Sequence, residues 1–353
     1  MTENQARFTI KVRAKDFHME ATQNIAYQTS LNNADAIREE SLRFHLLSNE
    51  VSKVVVGNQD AINAIVLGIL CKGHILLEGL PGVAKTTMVV SIAQALGLSF
   101  KRIQFTPDLL PSDVIGTSIY NQKNLDFEVK KGPIFANLVL ADEINRASAK
   151  TQSAMLECMQ ERQVTIGSNT YKLDEPFLVF ATQNPIEQEG TYRLPEAQLD
   201  RFIFKINIGY PTLEQEKEII KAKREAHHIQ QILTQQDILR AQKLVEHVYT
   251  DEKIINYILA IVHATRTPEN YGLSSLKQLI TCGASPRATL ALCQAVKAYA
   301  FFVGKRHFVL PDDVKALAPW VLRHRLALSY VAESNNMTAD TIIKNILSTI
   351  PTP

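Results

Sequence analysis

Five short apolar runs, HILLE, FKRIQFT, NLVLADE, FLVFATQ and FIFKINI, recur between residues 74 and 208 with helical stretches separating them. Their apolarity is continuous rather than alternating, which is the pattern of strands buried on both faces, as in a parallel sheet covered by helices. Parallel neighbours need long crossover connections, and the intervening helical runs supply them. Residues 46–211 are therefore expected to form an α/β unit, a three-layer αβα sandwich around a five-stranded parallel sheet. Two segments follow another rule. SIYNQKNLDFEVK and RQVTIGSNTYKL place apolar residues at every second position around a polar turn, so β-hairpins are expected at Ile119–Val129 and Val164–Leu173.

Beyond Tyr210-Pro211 strand-like runs nearly vanish, and stretches such as EQEKEIIKAKREAHHIQQIL and TQQDILRAQKLVEHVY take over. Residues 212–353 are expected to be an all-helical second domain. Residues 1–45 are read as an extension, polar and weakly patterned apart from a strand-like FTIKV, with helical spacing beginning at Ser41. Two domains suit a chain of 353 residues that is 46% hydrophobic and 21% charged.

A formal charge of +2 does not call for a polyanionic partner, so nucleic acid binding gains no support from composition. Cys71, Cys158, Cys282 and Cys293 are too scattered for a metal site and are read as buried free thiols. The beginning of the chain lacks the apolar region of a signal peptide, and no apolar run reaches membrane-spanning length, so a cytoplasmic location and no membrane insertion are expected.

The most informative loop follows the first strand. In HILLEGLPGVAKTTMVV, the residues Gly79, Lys85 and Thr86 fit the phosphate-loop pattern G-x-x-x-x-G-K-S/T, with Ala84 in place of the second glycine. Backbone amides of such a loop and of the helix start behind it face phosphates, the lysine neutralises the β and γ groups, and the hydroxyl serves magnesium. The expected ATP/ADP contacts are Gly79, Pro81, Gly82, Val83, Ala84, Lys85, Thr86 and Thr87, and Ala84 is expected to be tolerated by keeping a negative φ. A glycine-rich turn that happens to precede a lysine would share these residues, but NLVLADEINRA adds a strand ending in Asp142-Glu143. A carboxylate there can hold Mg2+ together with Thr86, and its neighbour can polarise the attacking water. The next strand ends in Gln183-Asn184-Pro185, where the amide of Asn184 is a candidate sensor of the γ-phosphate.

Taken in order, VVVGNQDAI, HILLEGLPGVAKTT, LADEINRASAKTQSAMLECMQERQVTI, FATQNPIEQEGTYRLPEAQLDRF and SPRA resemble the AAA+ ATPases, and within them the MoxR branch, from about Val51 onward. Alanine before the loop lysine agrees with that branch. The resemblance implies a homo-oligomeric ring of six subunits with ATP between neighbours, in which Arg201 is the arginine finger and Arg287 a second sensor acting on its own or a neighbour's nucleotide. Val56 and Gly57 are similar to the family's adenine-side segment, though the same residues would also suit the start of a core helix. The resemblance further implies a partner carrying a von Willebrand factor A domain and a chaperone-like action on a client protein. Without it, Arg201 reads as a surface partner of Asp200 or Glu196. Two rival functions stay open: a motor on nucleic acid, and a scaffold that holds ATP without turnover. His227-His228, and the basic clusters KAKR (221–224) and RHR (323–325), are read as solvated helix faces.

Overall fold

The computed structural model describes residues 24–123, 125–185, 191–192, 194–222 and 228–353; the strand-like FTIKV, Lys223 and Arg224 of KAKR, and His227 lie outside them. Residues 24–32 form a helix, α1, followed by α2 (Ala34–Ser52) and α3 (Gln59–Leu70). Helical structure thus begins upstream of Ser41. The reason is visible in α2, where Ile37, Phe44, Leu47 and Val51 repeat at helical spacing and are all buried.

The α/β unit continues through β1 (Ile75–Gly79), α4 (Lys85–Leu96), β2 (Phe100–Gln104), α5 (Pro111–Ile115), β3 (Gly116–Asn121), β4 (Asp126–Lys131) and β5 (Leu138–Asp142). It closes with α6 (Ala149–Glu161), β6 (Gln163–Ile166), β7 (Asn169–Lys172), β8 (Leu178–Gln183), α7 (Glu196–Leu199) and β9 (Phe204–Ile208). All five anticipated strands pair in parallel, in the order β2-β5-β8-β1-β9. Because side chains alternate along a strand, each strand serves two cores. Ile75, Leu77, Leu138, Leu140, Leu178 and Phe180 join the core under α3 and α4. Leu76, Val139, Ala141, Val179 and Ala181 face the opposite core, with Met155 and Leu156 of α6. Continuous apolarity in the sequence is the signature of this two-sided burial. The two predicted hairpins are β3–β4 and β6–β7, each an antiparallel pair standing apart from the main sheet.

The second part is helical: α8 (Leu213–Ala222), α9 (Gln235–Glu246), α10 (Glu252–Ala264), α11 (Pro286–Phe302), α12 (Pro311–Leu322), α13 (Tyr330–Ser334) and α14 (Ala339–Thr349). Between them β10 (Ile280–Cys282) and β11 (Ala327–Leu328) form a small antiparallel ladder. The cysteine expectation holds in part: Cys71 and Cys158 are buried, whereas Cys282 is exposed in that ladder and Cys293 is half-buried. Burial pushes the Cys158 thiol up to about 12.

His74, immediately before β1, is buried and ties the starts of the strands together. Its Nδ1 accepts from the Val179 amide at 3.0 Å, so Nε2–H donates to the Met159 carbonyl at 2.9 Å and the ring is neutral. Burial is the main reason its pKa falls from the ordinary 6.5 to about 4, with the Arg162 charge adding to the effect. Between those pH values the unfolded chain binds a proton that the native chain refuses. His74 should therefore cost about 3 kcal/mol of stability as pH falls from 6.5 to 4, and nothing above that window. Urea unfolding at pH 7 and pH 4.5 should show a shallower pH dependence for His74→Gln than for the wild type; equal slopes would refute the assignment.

Candidate active site

Parallel strands end together, so the C-terminal edge of the sheet gathers what the sequence scattered. Gly79 ends β1 against Ile208 of β9, and a Cβ there would lie 2.7 Å from the Ile208 carbonyl oxygen. Only glycine allows that approach. The loop then turns through Gly82 at φ +84° and delivers the chain to α4, whose first residue is Lys85. Lys85 Nζ donates to the Gly79 carbonyl at 2.6 Å, folding the ammonium over the loop. Val83 is buried beneath it, whereas Gly82, Ala84 and Thr87 are exposed and Thr86 is half-buried.

The expectation for Ala84 fails: its φ is +60°, in the left-handed region. The position that a glycine fills in the general motif keeps its glycine-like conformation here, and a methyl-bearing residue bears a cost of about 1–2 kcal/mol. The loop geometry is thus set by what precedes and follows Ala84, and not by its own preference.

Asp142 is the last residue of β5 and is buried; Glu143 follows at φ +57°, another left-handed non-glycine residue. Strain of this kind gathers where a side chain must be aimed. Asp142 Oδ1 accepts from Thr182 Oγ1 at 2.6 Å, and Oδ2 accepts from Arg102 Nε and Nη2 at 3.0 and 2.6 Å. Glu143 Oε2 accepts from Gln104 Nε2 at 2.9 Å and lies 3.2 Å from Arg146 Nε. The Glu143 amide donates to Thr182 Oγ1 at 2.8 Å, so one hydroxyl braces both acids. β8 lies between β5 and β1, and its register pairs Glu78 with Gln183. The buried Asn184 is one step further, level with Gly79 at the mouth of the loop.

Val56 and Gly57 occupy the turn between α2 and α3, both half-buried. Gly57 has φ +74°, and a Cβ on it would meet the side chain of Gln215 at 2.8 Å. Gln215 belongs to the first turn of α8, just past the end of β9, which brings this segment to the loop-bearing side of the sheet.

Arg201 and Arg287 are elsewhere. Arg201 precedes β9, whose first residue pairs with Ile75 at the start of β1. At about 3.3 Å per residue, the length of β9 separates that end from Gly79 by roughly 13 Å. Arg201 Nη1 donates to the Leu156 carbonyl at 2.8 Å, and Arg287 Nη1 lies 4.0 Å from Asp200. Both line one pocket of about 470 Å³ with Lys72, Arg162 and Arg325, opposed by Asp200. Arg201 forms neither the Asp200 nor the Glu196 pair offered on sequence alone: its Nη1 is spent on the Leu156 carbonyl, and Asp200 is held by Arg325 at 2.7 Å. The solvated reading of RHR fails too: His324 and Arg325 are buried, where backbone carbonyls engage every donor of Arg325 but the one Asp200 takes, and His324 through Nε2 alone, its Nδ1 lacking a partner among the described residues.

Sequence reasoning missed Arg102, Gln104 and Thr182, which hold the two acids, and Arg325 and Ser285, which hold Asp200. Thr182 and Ser285 lie within the segments FATQNP and SPRA, but nothing local to any of the five names the acid it holds. Alternation in β2 places Arg102 and Gln104 on one face, but only the β2–β5 register reveals what that face meets.

The hard oxygen donors at Thr86 and Asp142 suit Mg2+, which binds through one or two protein groups together with phosphates and retained water. Among the described residues no three His, Cys, Asp or Glu side chains gather into a metal cage, so the fit is to a metal arriving with phosphates. Arg102, whose side chain is half-exposed, would have to yield part of Asp142 to it.

Residues 74–204 match the model of the ATPase family associated with various cellular activities (AAA), and residues 274–346 that of the AAA lid domain. Chaperone MoxR1 of Mycobacterium tuberculosis is 48% identical over 305 residues, spanning 86% of this chain and 81% of that protein. Protein MoxR of Methylorubrum extorquens is 28% identical over 335 residues, 90% of this chain and 96% of that one. A crystal structure from Cytophaga hutchinsonii at 2.00 Å resolution superposes with a TM-score of 0.86 and 48% identity, covering 92% of this chain and 99% of its own. With that identity over most of its length, on this sheet order and with this lid, the chain belongs to the MoxR family of AAA+ ATPases.

Proposed function

We propose that the protein hydrolyses ATP with Mg2+ at sites completed between neighbouring subunits of a ring, and uses the cycle to remodel or mature a client protein. The observation that carries this reading is the division of the site between the two ends of the sheet. Lys85, Thr86, Asp142, Glu143 and Asn184 serve one edge, while Arg201 and Arg287 line a basic pocket at the other. Guanidiniums so far from their own loop suit a neighbour's γ-phosphate, and Arg287 is assigned to the neighbour for the same reason.

In this reading residues 46–211 form the nucleotide-binding unit, 212–353 the lid and 1–45 an extension. The loop amides and Lys85 bind the phosphates, Val56 and Gly57 border the base, and Thr86 and Asp142 hold Mg2+. When bound, the metal neutralises charge building on the β and γ oxygens. Glu143 accepts the proton of the attacking water, and Asn184 orients that water against the γ-phosphate. Family resemblance supports six subunits and a von Willebrand factor A domain partner; the name of the mycobacterial relative supports a chaperone role. No described helix is long and apolar enough to cross a membrane.

Specific ATPase activity should rise with protein concentration as subunits assemble. A rate per subunit that stays constant from dilute monomer upward would remove the shared site. Lys85→Ala should weaken ATP binding by about 10- to 150-fold, the loss of one charge-assisted contact worth about 1.5–3 kcal/mol. Equilibrium titration with a fluorescent ATP analogue checks this, and undiminished affinity would show that the loop binds something else.

A further inference from the structure

We propose that Asp200 and Arg325 form a latch that positions Arg201 and Arg287 as one unit, so that the lid sets the geometry of the finger. The inference rests on the reading that these two arginines serve a neighbour's nucleotide.

Arg325 leaves the end of α12 and is 3% exposed in its side chain. All five of its N–H donors are engaged. Nε donates to Asp200 Oδ1 at 2.7 Å, Nη2 to the carbonyls of Asp200 and Phe202 at 3.1 and 2.7 Å, and Nη1 to those of Ile203 and Val321. Four of these five bonds grip the turn that carries Arg201, and His324 Nε2 adds a second donor to the Phe202 carbonyl at 2.9 Å. The other carboxylate oxygen of Asp200 accepts from Ser285 Oγ at 2.8 Å. Ser285 caps α11, and its hydroxyl accepts the Arg287 amide at 3.1 Å. A continuous path therefore runs from α12 through Arg325, Asp200 and Ser285 to Arg287, and Arg201 is the next residue after Asp200.

Stability alone is a poor reason for this arrangement. A buried ion pair gains little over a well-packed apolar pair of the same volume, because both charges lose their hydration. What the pair does supply is direction: a planar fork with every donor fixed holds a backbone turn in one orientation. Arg201 itself is held through Nη1 by the Leu156 carbonyl, and its Nε is buried without a hydrogen-bond partner, so its aim depends on the turn beneath it. Asp200 and Arg325 are assigned as positioning residues, because their polar atoms are spent on each other, on Ser285 and on the turn.

Arg325→Gln should lower kcat by about 10- to 100-fold, the effect of a misplacement near 1 Å, and leave ATP affinity at its own loop within about twofold. The double variant Arg201→Ala/Arg325→Gln should be no slower than Arg201→Ala alone. Mixing supplies the decisive readout. Arg325→Gln keeps a sound loop and Lys85→Ala a sound finger, so random rings of the two should recover about a quarter of the wild-type rate, whereas a generally destabilised subunit would not be rescued. Arg201→Ala mixed with Lys85→Ala is the control. If the control recovers while Arg325→Gln either keeps full kcat alone or stays inactive in the mixture, the latch is overturned and the shared site stands. If the control itself fails to recover, the shared site fails and the latch with it. Should Arg325→Gln not fold, Asp200→Asn, equal in shape, is put through the same mixtures with the same expectations.

Discussion

Glu143→Gln should hold ATP and hydrolyse it about 100- to 10,000-fold more slowly than the wild type, the range for loss of a general base. The amide has the size of the carboxylate and keeps an acceptor oxygen for Gln104 and Arg146, the two groups that hold Glu143 now. What it loses is the capacity to take a proton. The left-handed backbone at φ +57° belongs to the residue position and not to the acid, and the amide bond from Glu143 to Thr182 Oγ1 is retained, so the local frame should survive. Single-turnover hydrolysis of prebound ATP separates this from a binding defect. Affinity unchanged with the chemical step slowed is the expected split, and a single-turnover rate equal to the wild type's would remove Glu143 from the reaction. The same substitution also tests the scaffold alternative, since a protein that never turns ATP over has no rate to lose.

How much of this was legible in the chain depends on how local the signal is. The five strands were readable because burial on both faces leaves its mark on every residue of a strand, and the loop because phosphate binding demands small residues, a lysine and a hydroxyl in fixed order. Ala84 shows the limit of that logic. A methyl-bearing residue favours a negative φ, yet the strand before it and the helix after it impose +60°, and local preference yields to tertiary context. Arg325 shows a second limit. Three consecutive basic residues on a helical run are usually solvated, and nothing near RHR in the chain announces Asp200, which is 125 residues away. The same holds for Arg102, recognised only when β2 is laid beside β5. Motifs expose groups that touch the ligand, whereas the groups that aim them come from long-range pairing.

Arg201→Ala should bind ATP as the wild type does and lose about 1,000- to 100,000-fold in turnover, the range measured for arginine fingers. The separation of the two effects follows from position. Arg201 lies beyond the start of β9, about 13 Å of strand away from the loop that pairs with the end of β9, so its own nucleotide is out of reach. Replacing it removes a guanidinium from the pocket it shares with Arg287 and leaves the Gly79–Thr86 loop untouched. Titration of wild-type subunits into the variant does not discriminate, because each variant loop that gains a wild-type finger compensates for a wild-type loop that loses one, and the total follows the simple average. The informative measurement is kinetic and concerns order of binding: Arg201→Ala should form ATP-bound rings that fail to advance, so nucleotide occupancy should stay near saturation while phosphate release almost stops. A variant that hydrolyses normally in assembled rings would place the finger elsewhere, and one that loses ATP affinity in parallel would make Arg201 a ligand of its own subunit. The first of these outcomes would turn attention to Arg287 and Arg162, the remaining guanidiniums on that pocket with exposed surface.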